Sequence, residues 1–98
     1  MRIELQYFEG CPHWQTADER LRHVAADRGL TVDHRLIATP AEAEAAGFRG
    51  SPTILIDGVD PFARGDEPVG LSCRIYQTPD GPSGSPTVEQ LETVLDRA

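Results

Sequence analysis

The sequence predicts a single α/β domain, and three observations carry that reading. A strand-like alternation opens the chain, an amphipathic helix pattern follows it directly, and a second strand and a capped helix start come next. A strand–helix–strand opening implies a parallel pair joined by the helix as a crossover. A chain of 98 residues buries only roughly two thirds of its unfolded surface. One thin core spanning residues 1–98 is therefore expected, with no second domain and no internal repeat.

The elements follow in order. From Arg2 to Phe8, Ile3, Leu5 and Tyr7 fall on one face and Glu4 and Gln6 on the other, as a strand requires. Glu9-Gly10 ends it, and Pro12 suits a first helical turn because its missing N–H would lack a partner there. Trp14, Ala17, Leu21, Val24 and Ala25 then recur at helical spacing, with Asp18, Glu19, Arg20 and Arg22 mainly opposite them. Gly29 is the natural stop. Thr31 to Ile37 reads as a second strand, with His34 on the Val32–Leu36 face.

Thr39-Pro40-Ala41-Glu42 reads as a capped start to a short helix that ends by Gly47. Thr53 to Ile56 is a short apolar strand closed by the turn pair Asp57-Gly58. Residues 59–70 read as a loop, in which Asp60, Asp66 and Glu67 are most simply solvated charge. Leu71, Cys73 and Ile75 alternate with Ser72, Arg74 and Tyr76, which predicts an edge strand completing a hairpin with the strand after Pro52. The stretch from Thr78 to Pro86 is dense in turn formers and predicts no regular structure. A last helix follows, capped by Ser85 or Thr87, with Val88, Leu91, Val94 and Leu95 as its buried stripe.

Composition excludes several function classes. Hydrophobic residues make up 39% and charged residues 26% of the chain, ordinary values for a globular protein. No stretch approaches the roughly 20 apolar residues of a spanning helix, and the N-terminus lacks the pattern of a signal peptide, so a cytoplasmic site of action with no membrane contact is expected. The net charge is -7 and all nine cations are Arg. With no basic cluster to offset it, that charge argues against nucleic acid as a partner. Two cysteines are too few for a disulfide-rich scaffold or a four-cysteine zinc site. The three histidines are scattered, so no metal site and no cofactor is expected, and His34 reads as a satisfied, partly buried side chain.

The chemistry of the sequence concentrates at Cys11, where the first strand hands over to the first helix. Unpaired amide N–H groups and the helix dipole favour an anion at such a place, and so favour thiolate over thiol. His13 would add to this and Glu9 would oppose it. The plainer alternative is that Cys11 is a small buried hydrophobe.

Cys11-Pro12-His13-Trp14 after a strand, followed about forty residues later by Gly50-Ser51-Pro52-Thr53 opening another, resembles the thioredoxin-like superfamily. The likeness covers nearly the whole chain in element order. It implies a mixed four-stranded sheet with helices on both faces, a cis-proline at Pro52 beside Cys11, and Ser51 offering its backbone to an extended substrate. Pro12, His13 and Trp14 would complete the substrate-binding surface, although a tryptophan at position 14 is more often a core residue than a substrate platform. A trans turn at Ser51-Pro52 is the plainer reading of that dipeptide.

The departure from the family is Trp14, which stands where a dithiol oxidoreductase carries its second cysteine. The resemblance therefore implies a monothiol member, in which a mixed disulfide at Cys11 is released by another protein's thiol, by a small thiol such as glutathione or mycothiol, or by Cys73. In a thioredoxin-like layout Cys73 is expected far from Cys11, as a core-facing residue alternating with Leu71 and Ile75. Three functions stay open. The first is thiol–disulfide exchange or electrophile capture, with Cys11 as the attacking, catalytic thiol. The second comes from the Gly50–Thr53 and Ile54–Gly58 segments, which are similar to those of short bacterial chains labelled alkylmercury lyase-like and imply soft-metal or organomercurial handling. The third is a redox-silent partner-binding or homodimerising module, using the groove near Pro52 or the edge at Leu71 to Tyr76.

Overall fold

The computed structural model describes residues 1–65 and 67–98, so the expectation for Asp66 lies outside the described residues. The chain runs β1 (Ile3–Tyr7), α1 (Trp14–Ala26), β2 (Val32–Leu36), α2 (Pro40–Ala46), β3 (Thr53–Ile56), β4 (Tyr76–Thr78), β5 (Gly81–Ser83) and α3 (Val88–Arg97). It is a mixed α/β arrangement, and no described helix is long and apolar enough to cross a membrane.

The main sheet has three strands in the order β2-β1-β3, not four. β1 pairs parallel with β2, as the strand–helix–strand opening requires, and antiparallel with β3. The register sets Ile3 opposite Ile56 and Leu5 opposite Ile54, so β1 and β3 share one apolar face. α1 and α3 close over it: Ala17, Leu21, Val24 and Ala25 meet Leu91 and Leu95 in one buried cluster with those strand residues. α2 contributes Ala43 to a second, smaller cluster with Ile37 and Phe48.

Local chemistry explains the starts of α2 and α3. Thr39 Oγ1 accepts the Glu42 N–H, while the Glu42 carboxylate reaches back to the Ala38 N–H, one residue before the cap. For α3 the cap is Thr87, which forms a reciprocal capping box with Gln90. Asp57 and Gly58 both adopt positive φ, and the turn closes with paired hydrogen bonds between Ile56 and Val59.

Two regions depart from the expected layout. Residues 71–75 do not form a strand beside β3, so the expected hairpin and edge strand at Leu71 to Tyr76 are not formed. From Cys73 onward the inward phase is also reversed: Arg74 and Tyr76 are buried, whereas Cys73 is exposed and Ile75 is 58% exposed. Two polar partners explain this choice. Arg74 pairs with Asp60 at 2.5 and 3.3 Å, and the Tyr76 hydroxyl donates to the Pro52 carbonyl. Asp60 is therefore half of a buried ion pair rather than solvated charge.

The turn-rich stretch after Tyr76 does fold regularly, as the β4–β5 hairpin. Pro79-Asp80 forms its two-residue turn, where Thr78 Oγ1 accepts the Asp80 N–H and donates to the Gly81 carbonyl. Gly81 takes φ 104°, which favours glycine. Pro82 lacks an N–H, but a two-stranded ribbon has outward positions where none is needed.

On α1, Asp18 is buried rather than solvent-facing. It accepts from Arg22 at 3.1 Å and meets His34 Nε2 at 2.6 Å. His34 is thus satisfied as expected, though more exposed than its strand face suggested.

Candidate functional site

Ser51 is the centre of the candidate site, and its polar groups tie together two segments distant from it in sequence. The turn after β1 brings Cys11 into place through the Cys11 N–H to the Phe8 carbonyl at 3.2 Å, and Ser51 Oγ accepts the Phe8 N–H at 3.3 Å. The Cys11 thiol donates to the Ser51 carbonyl at 3.4 Å. The same sulfur accepts the His13 N–H at 3.4 Å, just before α1 begins. A thiolate there would keep the amide contact and lose the bond to Ser51. The Ser51–Pro52 peptide bond is cis.

A second segment meets the same residue. The Ser51 N–H donates to the Ser72 carbonyl at 2.8 Å, and the Ser51 carbonyl also accepts the Arg74 N–H at 2.9 Å. Residues 70–74 therefore run parallel to residues 48–51 as a strap, with Cys73 in register with Ser51 and Gly70 N–H bonded to the Phe48 carbonyl. Gly50 permits this approach. Its φ is 109°, and a Cβ there would lie 3.1 Å from the Arg74 Cβ and 3.3 Å from the Ser72 carbonyl oxygen.

Cys73 is consequently beside Cys11 rather than far from it. Partial burial pushes its thiol above the ordinary value, and the neighbouring Cys11 adds to the rise. Both cysteines are free. Exposure divides them: Cys11 is 3% exposed and Cys73 is open to solvent. The expectation that Cys73 faces the core fails because the Arg74–Asp60 pair and the Tyr76 hydroxyl turn their own side chains inward.

The remaining expected residues are spread around this centre. Pro12 and His13 are exposed. His13 gives the sulfur its backbone N–H, while its ring packs so closely over Gly84 that a Cβ there would collide with it. Trp14 stacks on Tyr7 at 4.1 Å and 21°, and meets His34 edge-on, a packing role. Ser51 and Pro52 are both buried, and both backbone groups of Ser51 are bonded within the chain.

Arg74 and Tyr76 are the site residues that sequence reasoning missed, while Cys73, named there as one possible releasing thiol, was expected far from Cys11. Burial pushes the Tyr76 phenol up, against the attraction of Arg74. Burial opposes the charge on Arg74, but the hydrogen bond with Asp60, joined by Tyr76 and Glu67, leaves the guanidinium above its ordinary value. Gly50 was the available signal, since a glycine beside a buried strand start marks close backbone approach.

No group of His, Cys, Asp and Glu residues suited to holding a metal occurs among the described residues. The chain was compared with protein-family models, curated proteins and solved structures, and none of them matches it.

Proposed function

We propose that this chain is a thioredoxin-like thiol–disulfide exchange protein whose reacting sulfur is Cys11. The observation that carries the reading is the setting of that sulfur, held between the His13 amide and the Ser51 carbonyl at the entrance to α1. The Cys11 thiolate attacks one sulfur of an external disulfide, a new S–S bond forms, and the displaced thiolate leaves and takes a proton. The His13 N–H, just before α1, donates to the attacking sulfur. Because Cys11 is buried, the strap must move for the external disulfide to reach it.

The test uses a Cys73→Ser variant, so that no second thiol can release the product. Incubation with oxidised glutathione, followed by mass spectrometry, is expected to show one glutathione attached at Cys11. A Cys11 that stays unmodified in the folded variant, while it reacts fully in denaturant, overturns the reading.

A second reading is favoured by one observation, that Cys11 and Cys73 both meet Ser51, the first through its thiol and the second as register partner. Two adjacent thiols suit a soft cation, which fits soft-metal or organomercurial handling. Titration with mercuric ion would then protect both thiols from alkylation at one ion per chain, and release of the hydrocarbon from an organomercurial would separate lyase chemistry from simple binding.

A further inference from the structure

The thiol-exchange reading leaves a mixed disulfide at Cys11 with no second cysteine on α1 to release it, because Trp14 occupies that place. A different part of the chain brings a second thiol to the same spot. Ser51 carries the Cys11 sulfur on its carbonyl at 3.4 Å and is the register partner of Cys73 in the strap. The strap is anchored on both sides of Cys73, by the Ser72 carbonyl at 2.8 Å and the Arg74 N–H at 2.9 Å from Ser51. One residue further on, the Arg74 side chain is locked to Asp60. The position of Cys73 is thus set by backbone pairing and a buried ion pair, not by a freely moving loop end.

We propose that Cys73 is the second reacting thiol of this site, and that Cys11 and Cys73 form a reversible intramolecular disulfide. This inference rests on the exchange reading above. After Cys11 has formed a mixed disulfide with an external disulfide, Cys73 gives up its proton to solvent and its thiolate attacks the Cys11 sulfur. The Cys11–Cys73 bond forms, the bond from Cys11 to the external sulfur breaks, and that sulfur leaves as a thiolate and is protonated. In sum one external disulfide becomes two thiols, and two cysteine thiols become one disulfide, a transfer of two electrons. External thiols run the sequence backwards and regenerate the reduced pair.

The exposure of the two sulfurs gives the pair a division of labour. Cys73, at the surface, is the point at which an external thiol meets the oxidised pair, and Cys11 is the sulfur that the fold shelters. The strap also fills the backbone positions of Ser51 that an extended substrate would otherwise pair with. Residues 72–74 therefore hold the place of a bound peptide, with Cys73 presented as the substrate sulfur would be.

The experiment equilibrates the full-length wild-type chain across mixtures of reduced and oxidised glutathione. Free thiols are then trapped by alkylation and the protein is digested without reduction. A cross-linked peptide joining Cys11 and Cys73 should grow with the oxidised fraction, and both thiols should lose alkylation in parallel. The Cys73→Ser and Cys11→Ser variants should instead each hold one glutathione on the remaining cysteine. Glutathione adducts that persist on wild-type Cys11 with no cross-linked peptide would overturn the inference and leave the exchange reading standing. A disulfide formed only between two copies of the chain would overturn it as well. An unreactive Cys11 in the Cys73→Ser variant would instead remove the exchange reading itself.

Discussion

Replacing Asp60 with Asn removes the counter-charge of Arg74 while keeping the shape of the side chain. Arg74 is 3% exposed and Asp60 14% exposed at their side chains, with contacts of 2.5 and 3.3 Å between them. Breaking a buried pair by neutralising one partner costs about 3–5 kcal/mol, because the surviving charge stays out of water without compensation. Asp60 is not fully enclosed, so the lower end, about 3 kcal/mol, is expected. Each kcal/mol moves the melting temperature of a domain this size by roughly 4–8 °C, which makes a loss of about 12–24 °C. Urea unfolding of wild type and Asp60→Asn measures this directly. The double variant Asp60→Leu with Arg74→Met should cost clearly less than the single one, since it leaves no buried charge unpaired. A loss below about 1 kcal/mol for Asp60→Asn would mean that water shares the pair as on an open surface, and the argument that it anchors the strap would fail. The same variant should make Cys11 faster to alkylate under native conditions, because the strap beside it is held through Arg74.

Three further outcomes follow from the same geometry. Tyr76→Phe removes the hydroxyl that donates to the Pro52 carbonyl and should cost about 1–3 kcal/mol in urea unfolding by leaving a buried acceptor unpaired. Ile75→Thr should change stability by less than about 0.5 kcal/mol, because Ile75 faces solvent; a core-sized loss would restore the opposite phase of residues 71–76. The Cys73 thiol is raised by burial and then by Cys11, so the folded chain holds that proton more tightly than the unfolded chain does. The resulting stabilisation is present below the unfolded value and fades as pH rises through the folded one. Alkylation of Cys73 against pH should show a midpoint above that of an ordinary thiol, and Cys11→Ala should lower the midpoint without abolishing the shift.

The readable parts of this fold were those whose causes are local. The alternation of Ile3, Leu5 and Tyr7 marked β1 because side chains alternate across a strand whatever it pairs with. Thr39 and Thr87 marked helix starts because a cap acts on amides two or three residues away. Cys11 could be placed at the entrance to α1 for the same reason. The segment from Leu71 to Tyr76 was a different problem. Its apolar residues Leu71, Cys73 and Ile75 alternate with Ser72, Arg74 and Tyr76, so periodicity pointed to the face that the fold turns outward at Cys73 and Ile75.

What tertiary structure decided was that choice and everything that depends on it. Arg74 turns inward because Asp60 is there to meet its charge, and Tyr76 because the Pro52 carbonyl accepts its proton. Both partners are distant in sequence, and a buried charge or hydroxyl is tolerated only where such a partner exists. Once those two side chains point in, Cys73 must point the other way, and Ser51 sets it beside Cys11. The amino-acid order by itself determined the α/β opening, the helix caps and a thiol at the start of α1. The meeting of two thiols at Ser51 came from long-range polar pairing, which no local pattern encodes.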